Sequence, residues 1–341
     1  MNAAVTGASG FFGGALARAL LARGDTVRAL VRRPEAAGAL SEIGVEPFMA
    51  DLTDAKSCAG FVREGDVVFH SAARVDMNGR WEKFQRTTID GTRNLLAAAL
   101  PHRPRRFVYI SSGGVYNTNG KATSFRADRT PACPRPYNFY GRAKLAAEAL
   151  VREACVRAGC EWTILRLGFL YGVGNQALFN HLVPMAKERK LAIIGSGRNR
   201  IATLYIDDAV RAAILAGDSP CAVDQIYDVA GDEPVTQKEF YDATTDALNL
   251  PRVTRRVDRW MAMVVAWAAD RLSQWYDYES HVTRAGVALM SADQVVDSSR
   301  IREDLDWCPE ISFAEGMRRL RAWYLEMASQ PDQPVMEHVQ G

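Results

Sequence analysis

The sequence predicts an α/β fold: a doubly wound parallel sheet with a smaller, discontinuous second domain toward the C-terminus. Three observations carry that expectation. Short apolar runs alternate with amphipathic helical stretches over roughly the first 170 residues. Gly7, Gly10 and Gly13 join the first apolar run to the first amphipathic stretch. Beyond residue 171 the alternation breaks, and only isolated strands return. The expected division is 1–171 with 203–231 for the sheet domain, and 172–202 with 232–328 for the second domain. Residues 329–341 hold two prolines and little apolar content and read as a poorly ordered tail.

Composition sets the limits. A 341-residue chain that is 48% hydrophobic can bury a core of this size. Its net charge of +2, from 42 basic and 40 acidic residues, gives no reason to expect nucleic acid or an anionic membrane as a partner. No apolar run approaches the ~20 residues of a spanning helix. The N-terminus runs straight into a strand, without a signal-peptide pattern. Cys58, Cys133, Cys155, Cys160, Cys221 and Cys308 form no C-x-x-C pair and stand near no clustered His. They read as reduced thiols of a cytoplasmic protein without a metal site.

The elements follow in order. Ala3 to Thr6 is a buried strand, and Phe11 to Arg23 its crossover helix, ended by Gly24. Between them, Gly7 permits a tight turn, Gly10 lets backbone approach a diphosphate, and Gly13 lets the helix pack close. The free N–H groups at Phe11 and Phe12 and the helix dipole then face the anion. The order is G-x-x-G-x-x-G, a variant of the dinucleotide fingerprint; a turn without ligand is the alternative. Thr26 to Val31 is the second strand. Where NAD users hold an acid, Arg32 and Arg33 follow Val31, suited to a 2′-phosphate. NADP(H) is therefore expected, with NAD(H) possible. Glu46 to Met49 is the third strand and leads to Asp51-Leu52, where the acid meets an adenine amino group or caps a helix from Thr53.

Val67 to His70 is a continuous apolar strand, as in a sheet covered on both faces. It opens into Ser71-Ala72-Ala73, small enough for a cofactor to pass. The loop Arg74 to Trp81 lies at the ligand-binding edge, ahead of a helix from Glu82 to Leu100. Arg106 to Ile110 is the fifth strand. Ala177 to Glu188 is helical, Ile193 to Gly197 a strand and turn, and Thr203 to Ile206 a strand before a helix capped at Asp207-Asp208. Gln225 to Val229 returns to the main sheet. Thr236 to Leu248 is a helix with Thr236 as N-cap and Glu239 as its capping-box partner. In 252–272, Arg252, Arg255, Arg256 and Arg259 precede an apolar helix around Trp260 to Trp267. It reads as a core helix, a wall over an apolar substrate, or a peripheral membrane contact.

Chemistry enters at Tyr140-Gly141-Arg142-Ala143-Lys144, which opens a helix to about Ala158. Residues four apart share a helix face. A phenol titrates near ~10, and a neighbouring ammonium is expected to lower it. The phenol could then exchange a proton with a substrate oxygen while hydride moves to or from a nicotinamide. Ser112, at the end of the fifth strand, could hold that oxygen for Tyr140. Ordinary turn chemistry is the alternative for Ser111 and Ser112.

Together these residues resemble the extended short-chain dehydrogenase/reductase family. The likeness covers Thr6 to Gly13, Asp51-Leu52, His70 to Ala73, Ser112, Tyr140/Lys144, Leu165-Arg166 to Tyr171-Gly172, Ile206 to Asp208 and Leu305 to Trp323. It implies a Rossmann fold and a Ser112, Tyr140, Lys144 catalytic set, with Lys144 also bonding the nicotinamide ribose. It allows a homodimer. Sugar-nucleotide dehydratases tend to carry Thr-Asp-Glu where this chain has Ser112-Gly113-Gly114. Phe169 stands where many sugar-nucleotide members carry Asn, and Thr88 replaces a common Asn. Val27 to Arg32 looks like the matching strand of NADPH-using dihydroflavonol-reductase-type enzymes. The Ser298-Ser299-Arg300 and Asp306 to Pro309 segments are similar to 3β-hydroxysteroid dehydrogenases and β-keto acid reductases. The resemblance thus implies an oxidoreductase interconverting a secondary alcohol and a ketone on a bulky apolar substrate, touched by Trp81, Gly113 and Phe169. A nucleotide-sugar epimerase or reductase, and a non-catalytic cofactor-binding protein, are the alternatives.

Overall fold

The computed structural model describes residues 1–75, 79–116, 123–275 and 282–329. Residues 76–78 of the loop before Trp81, and the expected tail from residue 330 on, lie outside them. Seven strands form one sheet: β1 (Asn2–Thr6), β2 (Thr26–Val31), β3 (Glu46–Met49), β4 (Val67–His70), β5 (Arg106–Ser112), β6 (Glu161–Leu167) and β7 (Gln225–Val229). Their order is β7-β6-β5-β4-β1-β2-β3, and every pair is parallel. The order reverses between β1 and β4, so ligands are expected beyond the C-terminal ends of those two strands.

Both faces of the sheet are covered, which is why its strands read as unbroken apolar runs. Alternate side chains serve opposite cores. Val5, Val67, Phe69, Val108 and Leu165 pack with α1 (Phe11–Ala22) on one face. Ala4, Val68, Phe107, Tyr109 and Ile164 pack with α3 (Gly91–Ala99) and α4 (Phe139–Ala158) on the other. Between them in sequence, α2 (Pro34–Glu42) is a helix the sequence reading passed over.

Three local expectations change. The single helix expected over 82–100 is a turn of helix at Trp81–Phe84, a wide π turn at Gln85–Asp90, and then α3. No helix follows Thr53; Asp51 Oδ1 accepts from the Thr53 N–H at 2.8 Å within a series of turns. After α5 (Gln176–Lys187), α6 (Ile206–Asp218) has Tyr205 as N-cap and no capping side chain. Asp208 is buried and accepts instead from the backbone N–H groups of Glu310 and Ile311, at 2.9 and 3.1 Å. The capping box at α7 (Gln237–Ala247) forms as expected.

The remaining helices are α8 (Arg259–Trp275), α9 (Arg284–Ser291), α10 (Ser299–Leu305) and α11 (Phe313–Ala328). Of the readings for 252–272, a plain core helix fails. α8 buries Ala262 and Ala266 but exposes Trp260, Met261, Val264, Val265, Trp267 and Leu272. Among the described residues no helix is long and apolar enough to cross a membrane.

Candidate functional site

The glycine turn lies where β1 meets α1. Gly7 has φ +75°, and a Cβ there would lie 2.7 Å from Ser71 Oγ and 2.9 Å from the Ala72 nitrogen. A Cβ at Gly13 would lie 2.2 Å from the Gly7 carbonyl oxygen, so only glycine lets α1 sit this close. Gly10 is the N-cap of α1, which has no capping side chain and no acid in its first turn. Its first N–H groups are thus left for an anion, and the turn fits a dinucleotide diphosphate. Phe12 is buried in the core and Phe11 packs against it, so these two offer backbone N–H groups rather than rings.

Around the turn, Arg32 is exposed just past β2, and Arg33 is the N-cap residue of α2. Leu52 is buried, and its carbonyl accepts from Asn94 Nδ2 at 2.8 Å. Ala72 and Ala73 are half-buried, and the Ala72 backbone lies against Gly7. The Ala72 N–H donates to Thr6 Oγ1 at 3.3 Å and the Arg74 N–H to Thr88 Oγ1 at 3.1 Å. His70 Nδ1 lies 2.7 Å from Thr6 Oγ1 and its Nε2 2.9 Å from Thr92 Oγ1. The Thr92 hydroxyl donates to the Thr88 carbonyl, so His70 is assigned the Nε2–H tautomer. Burial, and then the nearby Lys144 charge, push His70 down to about 3, leaving it a neutral strut.

Ser112 ends β5 and caps the short turn Gly113–Val115, its Oγ accepting from the Gly114 N–H at 3.1 Å. Asn138 caps α4: its Oδ1 accepts from the Gly141 N–H and its Nδ2 donates to the Gly114 carbonyl, both at 2.9 Å. That one side chain fixes the start of α4 to the turn that carries Ser112. Sequence reasoning missed it, although an Asn ahead of a helix start is a capping signal.

Lys144 is 3% exposed, and its Nζ donates to the Ile110 carbonyl at 2.7 Å. Burial lowers its pKa to about 7, against the pull of Glu148. The sequence reading has Lys144 lowering the Tyr140 phenol. The structure corrects the direction: burial raises the phenol, and the Ser112 hydrogen bond opposes this only in part. The ammonium is itself weakened by burial and bound to a carbonyl. Tyr109, fully buried with Lys144 Nζ 5.0 Å from its ring centroid, has a hydroxyl without a hydrogen-bond partner among the described residues.

A buried polar network supports α4 and β5. Glu148 accepts from Ser111 Oγ at 2.5 Å and from Arg166 Nη2 at 2.7 Å. Arg166 Nη1 donates to the Tyr116 hydroxyl at 2.8 Å, and that hydroxyl donates to Asp228 at 2.9 Å. Burial raises Asp228 to about 6 despite these partners.

Ser112, Gly113, Tyr140, Tyr137, Ala288 and Leu289 line one cavity of ≈ 40 Å³. Trp81 and Phe169 are not in its wall. Trp81 lies edge-on to Phe139 at 5.8 Å, under the Arg142 guanidinium at 4.4 Å. Phe169 lies edge-on to Phe240 at 5.3 Å. The structure therefore unites Ser112, Gly113 and Tyr140, and adds α9, which the sequence reading did not connect with the site.

A doubly wound sheet with a glycine turn at its switch point defines a dinucleotide-binding α/β protein. Residues 3–230 match the NAD dependent epimerase/dehydratase family, and the chain belongs to it, as the motif resemblance implies. The 2-alkyl-3-oxoalkanoate reductase of Stenotrophomonas maltophilia (strain K279a) is 30% identical over 336 residues, spanning 94% of this chain and 99% of that protein. The 3beta-hydroxysteroid-dehydrogenase/decarboxylase isoform 1 of Arabidopsis thaliana is 26% identical over 336 residues, 93% of this chain and 76% of that one. The solved structure of UDP-glucuronic acid 4-epimerase from Bacillus cereus in complex with NAD superposes with a TM-score of 0.73 over 96% of this chain and 99% of that chain. At 20% identity that likeness concerns the fold alone.

Proposed function

We propose that the protein is an NADP(H)-preferring oxidoreductase that interconverts a secondary alcohol and a ketone on a bulky, mostly apolar molecule of β-keto acid or 3β-hydroxysteroid type. The observation that carries this is the shared cavity: Ser112 and Tyr140 line it together with Ala285, Ala288 and Leu289 of α9. When bound, the nicotinamide supplies or accepts the hydride. The turn from Gly7 to Gly13 holds the diphosphate on the first N–H groups of α1. Arg32 and Arg33 take the 2′-phosphate, while Asp51, Leu52, Ala72 and Ala73 flank the adenosine. Lys144 bonds the nicotinamide ribose. Ser112 donates to the ketone oxygen, and Tyr140 gives that oxygen its proton in reduction or takes it in oxidation. Segments 172–202 and 232–328 form the substrate-binding domain. The six free cysteines suit the cytoplasm.

The names of the two relatives, a 3-oxoalkanoate reductase and a hydroxysteroid dehydrogenase, support an oxo or hydroxyl group on a hydrocarbon frame. A nucleotide sugar would set polar groups against Ala285, Ala288 and Leu289, at about 1–3 kcal/mol for each group left unpaired. The test is a panel of 2-alkyl-3-oxoalkanoates, hydroxysteroids and UDP-sugars with NADPH and NADH. NADPH-dependent reduction of an apolar ketone is expected, with kcat falling about 10²–10⁴-fold in Tyr140→Phe. Turnover of UDP-sugars alone, or full activity in Tyr140→Phe, overturns the proposal.

A further inference from the structure

Helix α8 has an apolar face that the described chain leaves uncovered. Trp260 is 67% exposed, Val264 57%, Val265 58% and Trp267 50%. At about 100° per residue these positions fall on one side of the helix, together with Met261, Ala268 and Leu272. The other side carries Ala262 and Ala266, which pack against Val287 of α9.

The charges around this face are mostly basic, with the exposed Asp258 at its N-terminal edge as an exception. Arg252, Arg255, Arg256 and Arg259 precede or open the helix, and Arg271 stands within the exposed face. Between residues 252 and 273 the only acids are Asp258 and Asp270. Asp270 accepts from Arg284 Nε at 2.6 Å. Arg252 is paired with Asp246 at 2.7 Å, and Arg259 Nε donates to Ser291 Oγ at 3.0 Å. Arg255 and Arg256 are exposed, and the Arg271 guanidinium lies 5.7 Å from the Trp267 ring centroid.

We propose that this face of α8 docks on the surface of an anionic lipid bilayer. Too short and too polar at its ends to span, the helix lies in the plane of the interface. Trp260 and Trp267 sit at headgroup depth, Val264 and Val265 enter the acyl boundary, and Arg255, Arg256 and Arg271 meet lipid phosphates. A second copy of the chain is a poorer occupant, because a symmetric pair brings two cationic rims into one interface. Docking also places the bilayer one helix away from the cavity at Tyr140, since α9 packs on α8 and lines that cavity. An apolar substrate dissolved in lipid is then taken up close to where it reacts. This last step rests on the apolar-substrate reading above; the docking itself does not.

The test sediments the full chain with vesicles of phosphatidylcholine alone or mixed with phosphatidylglycerol. The expected result is binding to the anionic vesicles, weakened by salt and with a blue shift of tryptophan emission. Val264→Asp/Val265→Asp and Arg255→Glu/Arg256→Glu each reduce binding by roughly tenfold or more. Both variants keep NADPH binding and turnover of a short, water-soluble substrate, which shows that they fold. Absence of wild-type binding to anionic vesicles overturns the proposal, as does equal binding by the variants. A dimer in light scattering that Val264→Asp/Val265→Asp dissolves also overturns it and puts a second copy on the face. Vesicle binding without turnover of any apolar ketone leaves the docking standing and removes the substrate reading.

Discussion

Lys144 lies in a pocket where burial decides its charge. The unfolded chain keeps the proton to about 10.5, whereas the folded chain releases it near about 7. Between those values the unfolded state binds more protons, so this group's contribution to stability grows with pH and is lost as pH falls through about 7. The slope reaches about 1.4 kcal/mol per pH unit. Lys144→Met removes it. In urea titrations the variant is expected to be more stable than wild type near neutrality, with the advantage shrinking toward pH 10 as in the unfolded value of 10.5. A constant difference across that range contradicts the assignment. At the other end of the proposed cofactor site, Arg32 is the exposed cation past β2. A charge-assisted hydrogen bond to phosphate is worth about 1.5–3 kcal/mol. Arg32→Ser should therefore lower the NADPH-to-NADH ratio of kcat/KM by about 10–100-fold. An unchanged ratio removes Arg32 from the 2′-phosphate site.

Among the elements, α4 carries both Tyr140 and Lys144, and Glu148 adds a polar hold on the sheet to its apolar packing and the Lys144–Ile110 hydrogen bond. That carboxylate joins α4 to Ser111 on β5 and to Arg166 on β6, and Tyr116 carries the chain on to Asp228 on β7. Breaking one member of a buried pair strands the other charge, at about 3–5 kcal/mol. Arg166→Met should cost that much in denaturant unfolding, and Glu148→Leu/Arg166→Met should recover much of it. Equal loss in single and double variants points to lost packing instead. Nothing in the local pattern announces this network, since its members come from four elements and the turn after β5. Legibility followed the same divide. Val67 to His70 read as a strand because both its faces are covered, and Thr236 with Glu239 read as a capping box because both partners are local. Asp208 read as a cap and instead holds Glu310 and Ile311, about a hundred residues on. Phe169 and Trp81 read as substrate contacts, and the aromatic neighbours the fold brings to them, Phe240 and Phe139, could not be read from the local pattern. The period of α8 announced a helix, but only the packing tells which of its faces is covered.

For the whole molecule, the two walls of the cavity at Tyr140 differ in how firmly they are held. One wall comes from Ser112 at the end of β5, a strand paired on both sides with β4 and β6. The other comes from α9, held at its start by Val287 against α8, by the Arg284–Asp270 pair and by the Arg284 guanidinium lying 5.0 Å over the Tyr137 ring. At its end it is held by Asn199 Nδ2 and Gln237 Nε2, which donate to the Met290 carbonyl at 2.7 and 2.6 Å, and by Arg259 Nε, which donates to Ser291 Oγ at 3.0 Å. The space between them is ≈ 40 Å³, room for a water or so, whereas sites for molecules of the proposed size occupy about 300–1,000 Å³. Binding of such a molecule is expected to displace one wall, and α9 is the one that lies outside the main sheet. With NADPH and a bulky ketone analogue bound, amide exchange at 284–291 should change while that of β5 stays as in the free protein. The local opening free energy of α9 sets part of the apparent affinity, because a competent state populated at a fraction weakens binding by that fraction. Arg284→Ala loosens α9 without touching Ser112, Tyr140 or Lys144. It should raise amide exchange at 284–291 in the free protein and lower KM for bulky substrates, while leaving KM for the smallest ketones nearly unchanged. If exchange in α9 is the same free and bound, the wall does not move, and the bulky substrate class falls with it.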